Sequence, residues 1–452
     1  MSRAKISAGT ILETAGGTGR STPPMTEEPG LSGPYATTPI TSGDPRVRAE
    51  TARLVEAARA IRPRLREAQQ RTEDEGRFAP EIDAYFVEHG FYRMLMPLRY
   101  GGLELGIGEF YLVISEVARG CPSTAWCLSL SCAHNLTLAS YWPESAQREV
   151  YRERGYVAAP ASGNPMGARV ERVEGGILLS GKWRYCSGSP YSTHFFPTVI
   201  LPATESEPET RAWAVVSRDD YTVLDDWGAV IGMRGSGSNG IEMDRVFVPD
   251  HRICPETWTT DLAEPTPGYA LHGNPMYSGV FFGFAEGEVA SVAVGLGYAA
   301  CDEYERIIRT TRAPFSATGS MRADNDDWRR VLGMSMSRID AASATLIRNG
   351  ELYAEYGRQV AEDGIAFDGS RSMRLNNAHF VAEELVWEAL QELIRTAGTS
   401  ASQDGQRLQR YFRDIWTTMS RTDQFQFFAA PAVGFHFDGA PADVAAEAGV
   451  AA

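Results

Sequence analysis

The spacing of apolar residues changes twice along this chain, and the order of the changes limits its fold more than any other feature. After Asp44, Leu54, Ala57, Ala58, Ile61 and Leu65 recur at the spacing of a helix face among charged neighbours. Pro80 stands where a helix can begin, ahead of Ile82, Tyr85, Phe86 and Phe91; residues 96–102 interrupt with a proline and two glycines, and residues 110–117 resume. From Val157 to about Ile253 the texture becomes short β-branched and aromatic runs bounded by turns, such as 168–173, 177–179 and 212–216. Helical spacing returns after Tyr277 and continues to about Phe428, broken near 312–324, 363–370 and 399–405. Long helices separated in this way predict an antiparallel bundle. The expectation is an α+β chain with an N-terminal helical domain (44–156), a middle β-barrel-like domain (157–265) and a C-terminal four-helix bundle (266–435). Residues 1–43, rich in Gly, Thr, Ser and Pro, and residues 436–452 are expected to be tails that bury too little surface to order.

At 452 residues the chain exceeds one hydrophobic core, so several packed regions are expected. A net charge of −15 argues against a nucleic-acid or anionic-membrane partner, while leaving room for a local basic pocket that takes a phosphate. No apolar run reaches the roughly 18 residues that span a bilayer, and the N-terminus lacks a secretory pattern, so a cytoplasmic protein is expected. The six cysteines are scattered without a CxxC pair and are expected to be reduced and buried. No two of the seven histidines share a metal-ligand spacing, so no metal site is expected.

Four blocks narrow the fold further. They are VEHGFYRMLMPLRYGGLEL (87–105), RGCPSTAWCLSLSCAH (119–134), the β segments SGKWRYCSGS (180–189) and WGAVIGMRGSGSNGIEMDRVFVPD (227–250), and residues 394–414. Together they resemble the acyl-CoA dehydrogenase fold, and more closely its branch that uses reduced flavin and oxygen to hydroxylate small molecules. The resemblance implies the oxygenase component of a two-component monooxygenase, to which a separate reductase supplies reduced FMN or FAD. Oxygen adds at flavin C4a, and the hydroperoxide so formed oxygenates a small aromatic or amine substrate. It also implies a homotetramer with the C-terminal helices at its core.

By the same resemblance, Ser187 and Gly188 lie beside the flavin with Trp126, and Ser162 and Asn164 over its polar edge. Arg234, Ser236 and Ser238 come near flavin or substrate, and His134 points into the substrate pocket. Trp183 is expected to pack the sheet. One position departs from the pattern: eight residues beyond Arg413, where related hydroxylases carry a histidine, this chain has Arg421. Arginine stays protonated and cannot act as a base, although it can stabilise negative charge. The catalytic set is therefore expected to be His134, Ser187 and Arg421, with His134 or His436 handling the proton. Asp423 is the only residue near the place of the dehydrogenase glutamate, which makes acyl thioester oxidation the second reading and a non-catalytic ligand-binding member the third. The hexapeptide GSGSNG (235–240) matches a dinucleotide fingerprint by letter, but a strand is expected after it where that fingerprint needs a helix. The clusters Phe281, Phe282, Phe284 and Phe425, Phe427, Phe428 are core or pocket wall; as pocket wall they imply an apolar or aromatic substrate.

Overall fold

A computed structural model describes residues 42–314, 317, 319–421 and 425–438. Most of both expected tails, Asp423, and the side chains of Phe425 and Phe427 lie outside the described residues. The N-terminal part holds α1 (Pro45–Asp74), α2 (Pro80–His89), α3 (Ile107–Ala118), α4 (Pro122–Tyr141) and α5 (Glu144–Arg154). Asp44 caps α1 by accepting from Arg46 N, and prolines open α1, α2 and α4 at positions whose N–H a helix would leave unbonded. Every residue of α3 is buried, because it packs against α1, α4, α7 (Ala285–Thr310) and α8 (Asp326–Arg358). Its crossing with α8 is close: a Cβ on Gly350 would lie 2.4 Å from Gly108 N.

The middle part contains β1 (Ala161–Ser162), β2 (Ala168–Val173), β3 (Gly176–Trp183), β4 (His194–Leu201), β5 (Thr210–Ala214), β6 (Val216–Ser217), β7 (Thr222–Val223), β8 (Ile241–Pro249) and β9 (Ile253–Pro255). One sheet runs β1-β4-β5-β9 with β6 also on β4, and the other runs β2-β3-β8-β7. All pairings are antiparallel except β1 with β4. The two sheets share a core of Ile177, Leu179, Phe195, Val199, Ile241 and Val248. Trp183 belongs to that core, edge-on to Phe195, and so packs the sheet. The GSGSNG segment leads directly into strand β8, which excludes a dinucleotide fold.

After α6 (Pro267–His272), the helices α7, α8, α9 (Gly369–Ala397) and α10 (Arg407–Met419) form the bundle, and α11 (Phe425–Asp438) lies on α9. The helix breaks fall where the sequence placed them. All six cysteines are free and buried. Among the described residues no helix is long and apolar enough to cross a membrane.

Candidate active site

Helix α4 passes through the middle of the protein with nearly all of its residues buried, yet Trp126 and Leu130 keep some exposure. Four residues apart, they share one helix face, and His134 extends the same line. This partly exposed face marks the candidate cleft. At its near end the Trp126 indole N–H donates to Ser187 Oγ at 3.0 Å. Ser187 Oγ is 2.7 Å from Ser238 Oγ, which is 2.6 Å from Ser236 Oγ. Because Ser187 accepts from Trp126, its own proton is available to Ser238 or to an acceptor in the cleft.

The sequence builds this floor from two turns, the first of which needs a glycine. Gly188 has φ +83, and a Cβ there would lie 2.3 Å from Ser131 Oγ on α4, so the backbone rests directly on the helix. Its N–H donates to the carbonyls of Ser236 and Gly237, joining the two turns. The second turn is tied from below: Met233, itself at φ +53, donates its N–H to Asp414 Oδ1 at 2.6 Å. Burial pushes the Asp414 carboxyl up to about 7.

The bundle side of the cleft carries charge. Arg421 pairs with Glu286 and with Glu383 (3.1 Å), donates from Nε to Thr418 O at 3.0 Å, and lies 6.0 Å from the centres of both the Trp126 and Phe380 rings. Both carboxylates are almost wholly buried. Next to them, burial and the neighbouring Glu286 charge push the Glu288 carboxyl well above its usual range. Fully buried His379 lies edge-on to Tyr111, 5.6 Å between ring centres, and neither of its ring nitrogens has a partner. Burial holds it neutral, down to about 3.

Between these ends the wall is aromatic. Ring centres step from His134 to Trp213 (5.9 Å), Phe281 (5.4 Å), Phe282 (5.7 Å), Phe428 (5.4 Å) and Phe380 (6.2 Å), ending at Arg421 above Trp126. Phe281 and Phe282 keep partial exposure, whereas Phe284 is core. His134 Nδ1 is 2.8 Å from the Ala159 carbonyl, so Nδ1 carries the proton and Nε2 the lone pair. Burial lowers its pKa to about 4.

The structure thus brings Trp126, Ser187, Gly188, Ser236, Ser238 and Arg421 together, with His134 two turns along α4. Ser162 lies on β1, and Asn164 caps the next turn by accepting from Met166 N. Arg234 turns away from the hydroxyl chain, donating to Val230 O and facing Glu73 at 3.7 Å. His436 is exposed on α11. Sequence reasoning missed Glu286, Glu288, Glu383, His379 and Asp414. A signal existed for the first two, since they flank a glycine at the head of a helix that is otherwise apolar for several turns. Among the described residues no cluster could hold a metal ion.

This order of helices, sheets and bundle, with a hydroxyl-floored cleft where the three meet, is the architecture of a flavoenzyme class. Residues 47–154 match the acyl-CoA dehydrogenase N-terminal domain and residues 288–422 the acyl-CoA dehydrogenase C-terminal domain. A pigment production hydroxylase of a Rhodococcus species is 31% identical over 368 residues, which are 80% of this chain and 90% of that protein. The flavin-dependent monooxygenase oxygenase subunit HsaA of Rhodococcus jostii is 29% identical over 358 residues, 78% of this chain and 90% of its own length. Among solved structures, XiaF from a Streptomyces species, in complex with FADH2 and glycerol, superposes with a TM-score of 0.76 at 25% identity, covering 87% of this chain and 98% of that one. The chain belongs to the acyl-CoA dehydrogenase-fold family, among its flavin-dependent monooxygenases.

Proposed function

We propose that this chain is the oxygenase component of a two-component system that hydroxylates a small aromatic substrate, taking reduced FMN or FAD from a separate reductase and oxygen as co-substrate. The observation that carries this reading is the aromatic wall running from His134 to Arg421 above a floor of serine hydroxyls. A planar substrate gains most from such a wall, where ring pairs add about 0.5–1.5 kcal/mol each beyond the area they bury.

The residues present fit a flavin ring. Trp126 offers a flat partly exposed face, Gly188 lets backbone approach closely, and the linked hydroxyls of Ser187, Ser236 and Ser238 can donate or accept at a ring nitrogen. Ser162 and Asn164 would meet the polar edge, and Arg234 would hold the loop through Glu73. Reduced flavin supplies the activation of dioxygen. The chain supplies the rest: the aromatic wall excludes water and orients the substrate, Ser187 presents a proton to the ring, Arg421 offsets developing negative charge, and His134 offers a neutral acceptor at Nε2.

To test the reading, the protein is given chemically reduced FMN or FAD and air-saturated buffer with a panel of phenols, and product and hydrogen peroxide are counted per flavin. Oxygenated product is expected with at least one phenol. Peroxide equal to flavin throughout, with no product, would sink it; reduction of oxidised flavin by an acyl thioester would favour the dehydrogenase reading.

Two variants follow from the geometry. Ser187→Ala keeps the fold but removes a hydrogen bond of about 0.5–1.5 kcal/mol from the reactive state, so product per flavin should fall several-fold while peroxide rises. Unchanged coupling removes Ser187 from the mechanism. His134 is neutral above about pH 4, so the pH–rate profile should show no limb near 6.5 that disappears in His134→Asn. Its folded pKa lies below the unfolded value. The unfolded chain therefore binds the extra proton between about 6.5 and 4, and His134 contributes a loss of stability as pH falls through that window.

Met334, Val381 and Trp416 remain exposed on the bundle helices, which supports a homotetramer built through these helices. Light scattering at micromolar concentration should give four times the chain mass. The lack of a membrane-spanning helix among the described residues supports a cytoplasmic location.

A further inference from the structure

Helix α5 sorts its charges. On one face, Glu149 pairs with His251 and Arg252 (both 2.6 Å), and Glu153 with Arg252 and His194 (2.9 Å to the imidazole). On another face Glu144, Arg148 and Arg152 follow one another at four-residue intervals. Glu144 is taken by Arg99 at 2.6 Å. Arg148 and Arg152 make no ion pair or hydrogen bond with any described residue. These two guanidiniums, with Arg99, Tyr100, Glu144 and Tyr151, line a cavity of about 480 Å³.

The cavity has a built back wall. Tyr100 stacks on buried Tyr151 with ring centres 4.9 Å apart, and its hydroxyl is buried without a hydrogen-bond partner. His272 stands edge-on to Tyr100 at 6.0 Å, and its Nδ1 is likewise buried without a partner. Burial pushes the pKa of the Tyr100 hydroxyl up, Arg99, Arg148 and Arg152 pull it down, and Glu144 pushes it up. Three cations and one carboxylate therefore surround one unpartnered phenol in a chain whose net charge is −15.

The charge count selects the ligand. With Arg99 offset by Glu144, two positive charges remain, which a dianion balances and a monocarboxylate does not. Guanidinium forks match phosphate oxygens in pairs. The volume exceeds an orthophosphate, so the ligand extends beyond one phosphoryl group. The place is also set apart from the flavin end of the cleft: the Tyr151 hydroxyl donates to Asn135 O on α4 at 3.3 Å, nine residues and about 13 Å along the helix from Trp126.

We propose that the cavity between α5 and the turn at Arg99 and Tyr100 binds a phosphate-bearing small molecule, at a site separate from the oxygenation cleft. The test titrates the full chain by calorimetry with pyrophosphate and, separately, with ADP at constant ionic strength. Saturable binding at one per chain is expected, weakened about tenfold or more in R148Q/R152Q and partly recovered in R148K/R152K. Tighter binding of ADP shows that a nucleoside fills the remaining volume; equal binding shows that phosphate alone is read. Both outcomes support the site. No saturable binding of either probe overturns it, as does equal affinity in R148Q/R152Q, which marks general attraction of anions. Both substitutions are at exposed positions, and the lysine pair keeps the charge should the glutamine pair fail to fold.

Discussion

Replacing Arg421 by methionine should abolish hydroxylation and lower stability by about 3–5 kcal/mol, the usual cost of leaving buried carboxylates without their counter-charge. Glu286 and Glu383, 6% and 1% exposed at the side chain, both pair with this guanidinium, and beside them burial and the Glu286 charge push the Glu288 carboxyl well above its usual range. Arg421→Lys keeps the charge but cannot span both carboxylates with a planar fork, so partial activity and an intermediate stability loss are expected. Arg421→His places an imidazole between two carboxylates, which raises its pKa above the reference of about 6.5. Its contribution to stability is then present at low pH and lost as pH rises through the raised folded pKa, and a new limb should enter the pH–rate profile. The double variant Arg421→Met with Glu383→Gln separates charge balance from chemistry: stability should return in part while turnover stays absent. Equal turnover in the Lys, Met and His variants, with unchanged pH dependence, would assign Arg421 to structure alone and leave His134 as the proton acceptor.

The elements and their order were legible because each rests on local rules. Prolines at helix starts, glycines at breaks and short β-branched runs between turns in the middle region survive without tertiary information. The cleft's near end was also legible in one respect: Trp126, Ser187, Gly188, Ser236 and Ser238, singled out from separate sequence blocks, lie together in the structure. The partner of Arg234 was not legible, because the same loop that delivers Ser236 and Ser238 turns Arg234 toward Glu73 on α1, a pairing between residues 161 positions apart that no spacing rule encodes. The carboxylates around Arg421 left only a weak trace, for a related reason. Glu286 and Glu288 in a first helical turn read as ordinary charges favoured by the helix dipole. It is the packing of α3, α4 and Arg421 against that turn that buries them.

Asp414 offers the second large effect, and its sign runs opposite to that of the buried histidines. Its carboxyl is fully buried, accepts from Met233 N, and is pushed by burial from its ordinary value of 3.8 to about 7. Between these values the unfolded chain releases the proton while the folded chain keeps it. Stability should therefore fall as pH rises from about 4 to 7, by on the order of 4 kcal/mol from this group. His134, with its depressed pKa, acts the other way over part of the same range, so wild-type stability alone will not isolate the term. The comparison with Asp414→Asn does. Asparagine can still accept from Met233 N but has no proton to lose, so urea unfolding at pH 5 and at pH 8 should show the variant gaining on the wild type at the higher pH. Asp414→Ala removes the acceptor itself and frees the turn that carries Ser236 and Ser238. That variant should lose product in favour of peroxide much as Ser187→Ala does, while Asp414→Asn stays coupled. If both variants uncouple equally, the carboxylate is needed for more than holding Met233, and the tether is not what keeps the hydroxyl chain in place.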